Sequence, residues 1–232
     1  MKEDQRYFNF PIVLLAGYLD DHRKVLDDIV DYCLYEQSLG LEDEDEDDLE
    51  KFSIVADYNY IQIGDPEKSF SNGKGLYESI PYNTAKVGLS LRIFWDFYKN
   101  QKPEFENVCL LAFLAIKSIL HNKPYCKVTN KFWLSRMDGK SKSVKELTDL
   151  SSRMQKYSTE YQTKKIKYEL IESWGLIHYS RYTRGFYVSY KLSLEDLIFH
   201  AEKQRKKYRE KQQRKLIEEA RLKALEKLKN LK

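Results

Sequence analysis

The chain has 232 residues, 42% of them hydrophobic and 33% charged, with a formal net charge of +4. That is length for one large or two small domains, with charge enough for solvated helical tails. No apolar run approaches the roughly 20 residues that cross a bilayer, residues 1–10 lack a basic segment followed by a cleavable apolar one, and Cys33, Cys109 and Cys126 show no CxxC spacing. A cytoplasmic protein with reduced thiols and no membrane contact is expected.

The small net charge hides an asymmetry. Residues 1–100 carry 10 Lys+Arg against 21 Asp+Glu, a net of −11, and residues 101–232 carry 30 against 15, a net of +15. An acidic half joined to a basic half points to a polyanion partner for the basic one.

In chain order, residues 7–11 are aromatic and end on Pro11, and the apolar 12–15 stretch is interrupted at Gly17, which suits a short helix or an extended segment. Asp20 or Asp21 can cap the next helix, whose Val25, Leu26, Ile29, Val30, Cys33 and Leu34 fall on one face. Residues 42–48 are seven consecutive carboxylates, whose mutual repulsion assigns them to an exposed loop or linker. Leu49, Phe52, Val55 and Asn59 repeat as a further helix. Gly64, Pro66, the Asn72-Gly73 pair, Gly75 and Pro81 make residues 61–82 read as turns, too broken for a long element. Ser90 then caps a helix with Leu91, Phe94, Trp95 and Tyr98 on its apolar face and Pro103 beyond its end. Residues 108–120 are apolar nearly all round, as in a helix at the centre of a domain.

The run Lys123-Pro124-Tyr125-Cys126-Lys127-Val128 has room for a turn or one short strand. Thr129 can cap a helix to about Met137, stopped by Asp138-Gly139. The basic loop Lys140-Ser141-Lys142-Ser143 leads into an expected helix over residues 144–156. Ser158 or Thr159 opens the next helix, which ends at Trp174 with Gly175 behind it. Thr163, Ile166, Leu170, Ile171 and Trp174 form its inward face, so the helical period throws Tyr161, Lys165 and Tyr168 outward, flanked by Gln162 and Lys164. Residues 176–181 and 186–192 read as two strands, with the 182–185 link a hairpin tip bearing Arg181 and Arg184.

Ser193 caps a final helix with no later glycine or proline, free to run to the end of the chain, about 60 Å. Leu194, Leu197, Ile198 and Ala201 would pack on the preceding module, whereas residues 202–215 are basic with Tyr208 alone apolar. Ile217, Ala220, Ala224, Leu228 and Leu231 make a short stripe that could serve self-association.

The order helix, short strand, helix, helix, Trp-Gly-Leu-Ile and basic hairpin, over residues 106–192, resembles the winged helix-turn-helix family. The resemblance implies duplex DNA as partner, with the last helix in the major groove and the wing tip on backbone or minor groove. Tyr161, Gln162, Lys164, Lys165 and Tyr168 would then face base edges and Arg181 and Arg184 would meet phosphates, with Lys140 and Lys142 as further contacts. The helix over 144–156 departs from the minimal pattern. The opening Tyr7-Phe8-Asn9-Phe10-Pro11 with Leu14-Leu15, ahead of a helical region and a winged helix, looks like the DnaD-like replication-initiation proteins of phages and plasmids. That likeness implies a role in replication with a replication protein as second partner; transcriptional control stays open beside it.

The expected organisation is mainly α: a helical segment over 1–41, an acidic linker over 42–48, a helical region over 49–105 packed on the next domain, the winged helix over 106–192, and a long basic helix over 193–232. A basic helix face is also what any solvated helix presents, and winged helices also dock proteins, so an adaptor role is the rival. Basic residues on both the helix and the hairpin tip favour DNA. Trp95, Trp133 and Trp174 are expected in the core. His22, His121, His178 and His200 are scattered without metal spacing, residues 43–54 fail the calcium-loop pattern, and Gly73-Lys74-Gly75 lacks the rest of a phosphate-binding loop, so neither enzyme, cofactor nor metal is expected.

Overall fold

Phe8 and Phe10 alternate with Tyr7 and Asn9, and this period of two buries both phenylalanines on one face of a strand, β1 (Tyr7–Pro11). It pairs antiparallel with β2 (Lys86–Ser90), Phe8 opposite Leu89 and Phe10 opposite Val87. The computed structural model describes residues 6–41, 47–181 and 185–229, the last six of these as backbone only. The described chain is mainly helical, with two small antiparallel sheets.

A single 3-10 turn, Ile12–Leu15, follows β1. The carboxylate of Asp21 accepts the Lys24 amide and caps α1 (His22–Ser38), whose predicted apolar stripe is buried throughout. Helix α2 (Asp48–Tyr58) is capped in the same way by Asp47, which accepts the Glu50 amide at 2.7 Å. The last two carboxylates of the acidic run are thus a helix start and not linker, a placement the positive end of the helix dipole favours. Residues 42–46 lie outside the described residues.

The turn-rich reading of residues 61–82 is overturned. Residues 66–79 form α3 (Pro66–Ser79), with Asp65 capping it and Pro66 at its first turn, where a missing amide costs nothing. The Asn72-Gly73 pair sits mid-helix because α3 crosses α1 there: Asn72 donates to Asp28 and Asp31, each at 2.9 Å, and Gly73 lies against the Asp31 carbonyl, where no Cβ would fit. Residues that signal a turn in isolation here allow two helices to touch.

Helices α4 (Leu91–Lys99) and α5 (Glu104–Leu120) follow as expected, although the Ser90 hydroxyl makes no capping bond. Helix α5 is the centre of the protein, with Val108, Leu110, Ala112, Ala115 and Ile116 fully buried. Trp133 is also fully buried and its indole N–H donates to the Ala112 carbonyl at 3.1 Å. The main apolar cluster runs unbroken from Phe8 to Val188.

After α5 come β3 (Cys126–Val128) and α6 (Asn130–Met137), the latter capped by Thr129. The helix expected over 144–156 is absent: a 3-10 turn, Leu147–Asp149, and the four-residue α7 (Ser152–Gln155) stand in its place. Local polar bonds outcompete the helix. Asp138 accepts the amide of Ser151 at 2.9 Å and bonds the Ser151 hydroxyl and the Lys140 ammonium, while Asp149 accepts the Glu146 amide. Helix α8 (Glu160–Trp174) is capped by Thr159 and ends on Gly175 at φ 68°, a left-handed conformation open to glycine at no cost. Strands β4 (Ile177–Tyr179) and β5 (Phe186–Ser189) are antiparallel, Ile177 opposite Ser189, and β5 also pairs with β3, giving the order β3-β5-β4. The chain ends in α9 (Leu194–Lys229), 36 residues or about 54 Å long.

Candidate nucleic-acid interface

Helix α8 faces inward through Thr163, Ile166 and Leu170, all buried against α5, and its Trp174 ring lies 4.8 Å from Phe113 and 6.3 Å from Phe97. Ile171, placed inward by periodicity, is instead 39% exposed near the helix end. The opposite face carries Tyr161 and Tyr168, 73% and 65% exposed, with Lys164 and Lys165 also exposed and Gln162 half-buried. Five of the nine anticipated contact residues therefore share one helix.

Their charges are less free than the sequence suggests. Lys164 pairs with Glu160 one turn back at 2.7 Å, and that bond holds the Glu160 carboxyl below its ordinary range. Lys165 leans over the Phe105 ring of α5, 4.3 Å from its centroid. Lys140 is bound to Asp138 and serves the loop that replaces the expected helix. Lys142 is exposed and makes no ion pair among the described residues. Arg181 stands 4.0 Å from Glu202, and Arg184 lies outside the described residues.

The hairpin and the terminal helix are joined by one carboxylate. Glu202 accepts from the Tyr179 hydroxyl and from Arg205, each at 2.7 Å, and Arg205 in turn donates to the Arg181 carbonyl and lies over the Tyr179 and Tyr187 rings. Leu197 and Ala201 are fully buried beside Tyr187, so the first two turns of α9 belong to the sheet. Leu194, expected there too, is half exposed. From Lys206 to Lys223 the side chains are exposed, including Leu216, Ile217 and Leu222.

Burial perturbs two further groups beside α8. Lys167 sits on the flank of α8 between α6 and the sheet, donating to the Asn130 side chain at 2.8 Å with its ammonium 3.9 Å from the Phe186 ring centroid; burial pulls it down to about 8. His178 on β4 is pushed down to about 4, by burial first and by Lys167 second. Helical period alone places Lys167 on a boundary and cannot say that the sheet closes over it.

Among the described residues, no cluster of three His, Cys, Asp or Glu could hold a metal, and no helix is long and apolar enough to cross a membrane. No protein-family model, curated protein or solved structure matches the chain.

Proposed function

We propose that this chain is a DNA-binding protein of the winged helix-turn-helix type, acting in replication initiation of a phage or mobile element or in transcriptional control. What carries the reading is an order of elements: α5, β3, α6, α8 and the β4–β5 hairpin, with the first strand of the series returning to pair beside the last. That arrangement leaves α8 as the exposed helix to enter a major groove, and Tyr161 and Tyr168 as its exposed aromatic side chains. Lys142, Lys164 and the basic stretch of α9 supply phosphate attraction, which is not sequence-specific. The DnaD-like resemblance of the N-terminal segment is what supports a role in replication with a replication protein as second partner, and nothing in the chain separates that role from transcriptional control.

The test is a mobility shift on duplex DNA with the Tyr161→Ser, Tyr168→Ser double variant, whose exposed rings can be removed without touching the core. A loss of duplex affinity of about tenfold or more at unchanged circular dichroism is expected. An unchanged isotherm moves the module to the adaptor class.

A further inference from the structure

Described residues between Arg6 and Lys99 line an open groove of about 2460 Å³ that shares no lining residue with α6, α8 or the hairpin. Its carboxylates are already engaged. Asn72 donates to Asp28 and Asp31, and Asp27 accepts the Tyr98 hydroxyl at 2.8 Å and stands 3.9 Å from the Arg23 guanidinium. Of its six cations Arg6 and Arg23 are engaged, while Lys24, Lys68 and Arg92 make neither an ion pair nor a side-chain hydrogen bond among the described residues, and Lys99 has only the face of Trp95, at 5.3 Å. Though it lies in the acidic half of the chain, this groove is lined by six cations against four carboxylates, Asp27, Asp28, Asp31 and Asp65, a formal excess of positive charge.

Aromatic surface accompanies the charge. Tyr60 is 83% exposed and held at φ 57°, a conformation costly for a residue with a side chain, with the Arg6 guanidinium 5.3 Å from its ring. Trp95, expected in the core, packs against it half buried, edge-on to Phe94 and Tyr98, and its indole N–H bonds to no described residue. An exposed ring and a half-buried one among cations that lack ion pairs suit a strand whose bases are free to stack and whose phosphates are evenly spaced. Duplex bases hide their faces, and an acidic peptide would engage the cations while leaving the rings unused.

We propose that this groove binds single-stranded nucleic acid, with bases stacking on Tyr60 and Trp95 and phosphates meeting Lys24, Lys68, Arg92 and Lys99. The site is separate from the duplex-binding reading of α8 and does not depend on it.

The experiment measures fluorescence anisotropy of a labelled oligo(dT) of about 10 nucleotides with the full chain. Its variants are Tyr60→Ser and the Arg92→Ser, Lys99→Ser pair, each checked by circular dichroism. Affinity should fall about tenfold or more in each, an abasic strand of equal length should bind similarly weakly, and polyglutamate should compete poorly. The Tyr161→Ser, Tyr168→Ser variant should keep its oligo(dT) affinity, and the groove variants should keep any duplex affinity. The proposal is overturned if the native chain does not bind oligo(dT), if the groove variants bind it unchanged, or if polyglutamate or the abasic strand matches it. Loss of oligo(dT) binding in the α8 variant alone would also overturn it, by moving the strand to α8.

Discussion

Gly73 rests on the backbone of Asp31 so closely that a Cβ added to it would stand 2.8 Å from the Asp31 carbonyl carbon and closer still to its oxygen. An alanine at a helix interior is ordinarily worth about 1 kcal/mol over glycine. Here the clash is with backbone of a packed helix, so Gly73→Ala should instead destabilise by about 1–3 kcal/mol, the usual cost of overpacking. Thermal unfolding decides it, since a raised Tm would mean that α1 and α3 are not in contact at this point.

Glu160 neutralises Lys164 on the proposed DNA-facing side of α8. Glu160→Gln should free that ammonium and remove a charge that repels phosphate, raising duplex affinity about twofold at low salt, with the gain shrinking as salt is added. Weaker binding by this variant, with the fold intact, would argue that α8 does not face DNA.

His178 gives the protein a pH dependence with a definite sign. Above its ordinary value of 6.5 the imidazole is neutral folded or unfolded, and it contributes nothing. Below 6.5 the unfolded chain takes up a proton that the folded chain refuses until about pH 4, so stability falls steadily across that window as acid is added. His178→Gln should flatten the fall in Tm between pH 6.5 and 4. A slope unchanged by the substitution would place the proton uptake elsewhere.

Two truncations separate the roles of α9. Ending the chain after Tyr208 removes solvated helix and spares Glu202 and Arg205, so the Tm should hold while duplex affinity drops. Ending it after Ala201 also removes the carboxylate that joins Tyr179 and Arg205, and the Tm should fall by several degrees. Equal Tm values for the two chains would deny that the Glu202 junction stabilises the hairpin.

Much of the second half of this fold was legible because its signals are local. Thr129, Thr159 and Gly175 stop and start helices by bonds within five residues, and the strand patches of 176–192 pair antiparallel with each other. The failures share a physical cause. Asn72-Gly73 and the 144–156 segment are each decided by a partner outside the segment itself, the α1 backbone in one case and Asp138, 13 residues before Ser151, in the other. The outward face of α8 was readable from periodicity, but the neutralisation of Lys140 and the turning of Lys165 onto Phe105 were not. The groove was invisible for the same reason, since its lining is scattered from Arg6 to Lys99.

The pairing of β1 with β2 has a consequence for how this chain is made. Phe8 and Phe10 leave the ribosome before the strand that pairs beside them, which follows about 75 residues later. At about 5–20 residues per second that is an interval of roughly 4–15 s in which the amides of β1 that face β2 stay unpaired. A nascent chain in that condition offers just what a holding chaperone recognises, so the yield of folded protein should depend on translation speed between residues 11 and 86 more than anywhere downstream.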